Sequence, residues 1–158
     1  MHALKSAPLR KQHESLRKHI ANLRKHFNPL LLSHGAGEVR VGLTQIFGEL
    51  GRHLQQETKV VYPPLAESGD VTFKETAERF ALEMKQNLPR LAEFNRRWPS
   101  AQAIRAEGTL FLKEADAVLQ WLERRFIAEN NELYPLLDKL DATTLMSHHN
   151  PELKISRL

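Results

Sequence analysis

Cysteine is absent from this 158-residue chain. Its absence excludes disulfides and every thiolate metal site, and it fits a reducing cytosol. Long apolar runs are missing as well. The longest local apolar cluster, residues 29–32, is far too short to cross a bilayer. The first eleven residues hold no apolar stretch of signal-peptide length. The expectation is a soluble, cytoplasmic chain with no membrane association. Its length is that of one domain, able to bury a core without metal or disulfide support.

Acidic side chains are scarce at the start. Residues 1–27 carry seven Lys or Arg against one Glu, although the whole chain is only +4. The basic residues recur every seven positions, as Arg10-Lys11, Arg17-Lys18 and Arg24-Lys25. That spacing lines them along one side of a helix, beside the apolar stripe. A solvated helix face is the plain reading, and a docking face for an unknown protein partner is the functional one. No aromatic residues interleave with these charges, so nucleic acid is not an expected partner. The sequence leaves the oligomeric state open.

A repeated phrase is the most informative feature present. Glu-x-x-x-x-Tyr-Pro-x-Leu occurs at residues 57–65 and again at 129–137. His53 stands four residues before the first copy's Glu57, and Arg125 stands four before Glu129. In the same frame His13 corresponds, within one residue, to Met84. The chain reads as a duplicated helical pair in which one half kept a metal-binding pattern.

Apolar periodicity is helical almost throughout. Helix A is expected from near Pro8 to before Asn28-Pro29, with the seam Leu9, His13, Leu16, Ile20, Leu23, Phe27. Gly35-Ala36-Gly37 is expected to interrupt the chain. Helix B is expected over about residues 38–67, with His53 and Glu57 in its seam and Pro63-Pro64 breaking its last turns. Thr72-x-x-Glu75 resembles a capping box for helix C, whose seam holds Met84 and Leu88 and whose Pro89 should bend or split it. A short segment over residues 100–107 leads to helix D, whose seam includes Leu122, Arg125, Glu129 and Leu136. Together these predict an all-α, up-down-up-down four-helix bundle over residues 1–141, with residues 142–158 as a tail. His148-His149 on that tail lacks supporting ligands and is not read as a site.

Periodicity thus puts His13, His53, Glu57, Arg125 and Glu129 on inward faces. Buried carboxylates and guanidinium groups are costly unless paired, so a shared polar cluster is implied. His53 and Glu57, four apart on one helix, can reach a single cation. Adding His13 and Glu129 gives two imidazoles and two carboxylates, a set suited to Fe(II), Mn(II) or Zn(II).

The segments around His13, His53-Leu54-Gln55-Gln56-Glu57 with Tyr62-Pro63, and Glu129 with Tyr134-Pro135 resemble the hemerythrin, or HHE cation-binding, family over roughly residues 9–139. That resemblance implies an up-down four-helix bundle holding two irons, bridged by two carboxylates. One iron would draw its nitrogens mainly from helices A and B, the other from helices C and D. Helix C here, residues 72–97, contains no histidine, and Arg124 and Arg125 fill the slots of the helix D histidine. The resemblance therefore implies a degenerate member with a half-retained site: metal ligands His13, His53, Glu57 and Glu129. Arg125 would stand electrostatically in place of the missing ion, with Met84 packed at the pocket.

Two functional expectations follow. One is a non-enzymatic metal- or small-ligand-binding or sensory module, holding at most one iron, manganese or zinc ion. The other is a metal-free interaction or regulatory module whose core is salt-bridged by Arg125 with Glu57 and Glu129, docking through the basic face of helix A. Residues 122–129 are also similar, over that short helical stretch alone, to the regulator of sigma D family, which would imply a transcription-regulatory role.

Overall fold

The computed structural model describes residues 4–140, which fold as an all-α helical bundle without strands among them. Four long helices make it: α1 (Ala7–Arg24), α2 (Pro29–Val60), α4 (Val71–Arg97) and α6 (Gly108–Ala128). Two short helices, α3 (Tyr62–Ala66) and α5 (Ala101–Ala106), join them. A π-helical turn, Glu129–Leu133, follows α6 and leads into a last helical stretch, α7, over residues 134–140. The expected tail and His148-His149 lie outside the described residues.

Several sequence expectations need correction. Gly35-Ala36-Gly37 does not interrupt the chain, because α2 starts at Pro29 and runs through it. Asn28 is extended and its side chain accepts from the Leu31 N–H at 2.8 Å, with Pro29 at the first helical position. Gly35 allows close approach rather than a break: a Cβ there would fall 2.4 Å from Nδ1 of His26. The cap of α4 is Asp70, which accepts from the Phe73 N–H at 3.1 Å, and not a Thr72 capping box. Pro89 does not split α4. Pro89 and Lys85, whose carbonyl loses its helical partner to the proline, both lie on an exposed face. Leu88 is exposed rather than in the seam. The expected break at Pro63-Pro64 does occur, as α2 ends at Val60 and α3 opens at Tyr62.

The core divides into two apolar clusters with a polar layer between them. The larger gathers Leu16, Ile20, Leu43, Leu50, Met84, Leu122 and Phe126 among others. The smaller holds Leu9, Val61, Leu65, Ala77, Phe80, Leu133, Tyr134 and Leu137. Along α1 the order is Leu9, His13, Leu16; along α2 and the residue that caps it, Leu50, His53, Glu57, Val61; along α6 and the π turn, Leu122, Arg125, Glu129, Leu133. Each helix therefore passes from one apolar cluster to the other through its polar residues, and the site is a layer fixed by packing above and below.

Candidate metal centre

The layer is dry. His13, His53, Glu57, Arg125 and Glu129 are all buried to within 2% of full coverage. Helix α1 delivers His13, α2 delivers His53 and Glu57 one turn apart, and the π turn opens with Glu129. One donor atom from each of His13, His53, Glu57 and Glu129 lies within 4.8 Å of the others. Nε2 of His13 is 3.0 Å from Nε2 of His53 and 2.8 Å from Oε1 of Glu129. Nε2 of His53 is 2.6 Å from Oε1 of Glu57 and 3.4 Å from Oε1 of Glu129. The Tyr134 hydroxyl joins them, 3.2 Å from Nε2 of His13, 3.3 Å from Nε2 of His53 and 3.4 Å from Oε1 of Glu129.

The far nitrogen of each ring is also held. Nδ1 of His13 meets Oδ1 of Asn130 at 2.8 Å, and Nδ1 of His53 meets Oε1 of Gln12 at 2.6 Å. Amide oxygens accept, so both rings carry a proton on Nδ1 and turn Nε2 inward. His13 also stacks on Phe126 and Tyr134, with centroids 4.6 and 5.3 Å apart.

On the other side of Glu129 lies Arg125. Its Nε donates to Oε2 of Glu129 at 2.7 Å, and its Nη2 donates to the Tyr62 hydroxyl at 3.2 Å. Tyr62 in turn donates to Oε2 of Glu57 at 3.3 Å. The expected direct bridge from Arg125 to both carboxylates is therefore corrected: no Arg125–Glu57 ion pair forms within 4.0 Å, because the Tyr62 phenol stands between them. The guanidinium lies over the Phe80 ring, 4.7 Å from its centroid, and Nη1 is 3.8 Å from the half-exposed Glu83 carboxylate.

Electrostatics separates the two carboxylates. Burial opposes ionisation of Glu129, but its hydrogen-bond contacts with His13 and His53 and the Arg125 charge outweigh it, and its carboxyl is held well below the usual range. Burial pushes Glu57 up against the hydrogen bond with His53, and the Glu129 charge adds to the rise. Burial would discharge His53, yet the hydrogen bonds and charges of Glu129 and Glu57 prevail and push it up to about 9. Burial pushes both tyrosine hydroxyls up, so Tyr62 and Tyr134 act as neutral O–H groups.

The donor set tests whether these residues suit a cation. Four acceptor-capable atoms converge: two Nε2 and one oxygen from each carboxylate. Oε1 of Glu57 forms a 2.6 Å ion pair with His53 but no well-aligned hydrogen bond. Buried, convergent nitrogen and oxygen donors suit a first-row divalent ion.

The sequence model of the Hemerythrin HHE cation binding domain matches residues 5–137. The chain belongs to this family. Searches among curated proteins and among solved structures gave no match.

Within this hemerythrin HHE domain, His13, His53, Glu57 and Glu129 lie together, and Arg125 adjoins them through Glu129. Met84 instead packs in the larger apolar cluster, among aliphatic and aromatic side chains. Helix α4 supplies no ligand to the group, and its nearest polar contribution is Glu83, beside Arg125. The basic face of α1 is only partly available. Arg24 is tied to Asp116 and Glu123 at 2.7 and 2.5 Å, and Arg10 pairs with Asp138 at 3.5 Å. Lys11, Arg17, Lys18 and Lys25 are exposed. Sequence reasoning missed Gln12, Asn130, Tyr62 and Tyr134 as members of the polar layer. The tyrosines were marked by the repeated phrase; Gln12 and Asn130 are neighbours of ligand positions and carried no pattern of their own.

Proposed function

We propose that this domain is a non-enzymatic metal-binding sensory module that takes at most one divalent ion on His13, His53, Glu57 and Glu129. Iron is the leading ion, with manganese and zinc as alternatives. The observation that supports this reading is the convergence of four buried ligand atoms, two imidazole nitrogens and two carboxylate oxygens, within 4.8 Å of one another. Arg125 limits the site to one ion, because its guanidinium holds Oε2 of Glu129 and, through Tyr62, Oε2 of Glu57. Both oxygens on that side of the carboxylates are thus already satisfied by a fixed positive charge.

When bound, the ion would supply a Lewis-acidic and, for iron or manganese, redox-capable centre. The chain's own groups then orient and insulate it: Phe126 and Tyr134 pack on His13, and the apolar clusters above and below exclude water. Among the described residues, the layer contains no separate nucleophile or acid–base pair beyond the ligands and their partners, which favours a sensory over a catalytic role.

A second reading is a metal-free interaction module. It is favoured by the charge balance, since Arg125 and protonated His53 offset Glu57 and Glu129 without any ion. Its docking face would be the exposed Lys11, Arg17, Lys18 and Lys25. Thermal unfolding separates the two. Under the metal reading, anaerobic Fe(II) at about 100 times its Kd stabilises the wild type by about 2.7 kcal/mol, and His53→Ala abolishes that gain. Unfolding that ignores metal and chelator alike in both proteins would leave the metal-free module.

A further inference from the structure

Both imidazoles in the layer are oriented by an amide from another helix, and the pattern is crossed. Gln12, one residue before His13, accepts from Nδ1 of His53 at 2.6 Å. Asn130, one residue after Glu129, accepts from Nδ1 of His13 at 2.8 Å. Neither amide is fully buried, so each would otherwise turn to water. Gln12 is itself fixed, because its Nε2 donates to Oε1 of Gln56 at 2.6 Å. That bond commits the Gln12 nitrogen away from His53 and presents its oxygen to the ring. Gln56 lies one residue before Glu57, so the chain runs Gln56, Gln12, His53 from α2 to α1 and back to α2.

We infer that Gln12 and Asn130 are positioning residues that hold the Nδ1–H of the two imidazoles, so that both rings turn Nε2 towards the site before any ion arrives. The inference rests on the metal-binding reading for its effect on affinity, but its structural half stands without metal. A neutral imidazole turned over, or carrying its proton on Nε2, offers the centre a donor instead of a lone pair and cannot ligate there. The π turn has a part in this. It opens with the Glu129 ligand and sets Asn130 against α1, so one local distortion delivers both a carboxylate and the oxygen that orients its neighbour.

The amides act crosswise, so each ligand-bearing helix aligns the imidazole of another. Helix α1 aligns the ring of α2, and the turn after α6 aligns the ring of α1. Orienting partners of metal-bound histidines change affinity when removed, typically by about 10–100-fold.

The test uses the full chain with 15N-labelled histidine, metal-free, and reads the ring tautomers by two-bond proton–nitrogen correlations at a pH where the spectra show both rings neutral. His13 and His53 should both appear as Nδ1–H in the wild type. Gln12→Leu should release His53 alone, and Asn130→Leu should release His13 alone, into mixed tautomers. Zinc affinity should fall about 10–100-fold in each. Gln12→Glu and Asn130→Asp keep an oxygen acceptor and should retain both the tautomer and most of the affinity, which separates orientation from loss of packing. Circular dichroism and melting identify any variant that fails to fold, and the acid variants then carry the comparison. Unchanged tautomers in the folded Leu variants, or loss of affinity in the acid variants equal to that in the Leu variants, would overturn the inference. A wild type with the Nδ1–H tautomers but no zinc binding would leave the positioning intact and overturn the metal reading instead.

Discussion

The two copies of Glu-x-x-x-x-Tyr-Pro-x-Leu present the same side chains to one layer in different backbones. In the first, α2 ends at Val60, and Tyr62 sits at the start of α3. In the second, a π turn carries the chain on from Glu129 to Tyr134. Each tyrosine, five residues past its glutamate, still brings its hydroxyl to that glutamate, at 3.3 Å in the first copy and 3.4 Å in the second. The cation four residues upstream is what differs. His53 turns an imidazole towards the shared centre, whereas Arg125 carries a permanent charge into the same layer. A histidine can exchange its proton for a metal ion; an arginine cannot. On the proposed reading, the first copy of the repeated phrase would hold an exchangeable cation where the second holds one built into the chain.

Breaking the arginine side should have the largest effect. Arg125→Ala leaves two buried carboxylates short of their fixed counter-charge and should cost about 3–5 kcal/mol in urea unfolding of the metal-free protein. A change of a few tenths would mean that Arg125 does not balance the layer. The two tyrosines sharpen the same contrast. Tyr62→Phe removes the partner of Arg125 Nη2 and of Oε2 of Glu57, and should cost about 1.5–3 kcal/mol whether or not metal is present. Tyr134→Phe acts on the imidazole side, so its cost should change when metal is added. Equal metal dependence for both variants would erase the division between the halves.

Much of the fold was legible because the apolar seams keep a helical period and the polar residues interrupt it at matching places. His13, His53, Glu57, Arg125 and Glu129 could be put indoors on that ground alone. The π turn could not be read. It inserts one residue, so the inward position that a regular helix assigns to Leu136 passes to Leu137, which is buried while Leu136 is only partly so. Gly35 misled for a related reason: its lack of a side chain serves contact with His26 within a helix, and composition does not distinguish that from a break. Tyr62 as a relay between Arg125 and Glu57 was hidden too, because direct pairing of a buried Arg with both carboxylates was the simpler geometry.

Acidity offers a smaller effect with a definite sign. The folded-state value of His53, about 9, exceeds its ordinary 6.5. Its contribution to metal-free stability is therefore complete below about pH 6.5 and is lost as pH rises through about 9. Metal affinity should rise across the same interval, because the ion competes with the proton on His53. Stability of the metal-free protein that climbs from pH 6.5 to 9 would contradict this assignment. The smallest effect belongs to the α1 surface. Arg17→Glu with Lys18→Glu should alter stability by no more than about 0.5 kcal/mol, since both side chains are exposed. A larger loss would place them in the structure rather than on a free face.

Metal stoichiometry tests the central claim most directly. Protein purified without an affinity tag is loaded anaerobically with Fe(II), desalted and analysed for iron per chain, beside His53→Ala treated identically. One retained ion in the wild type and none in the variant is the result expected from a site that kept its imidazole half and closed the other with Arg125. Two irons per chain, or none retained by the wild type, would contradict it.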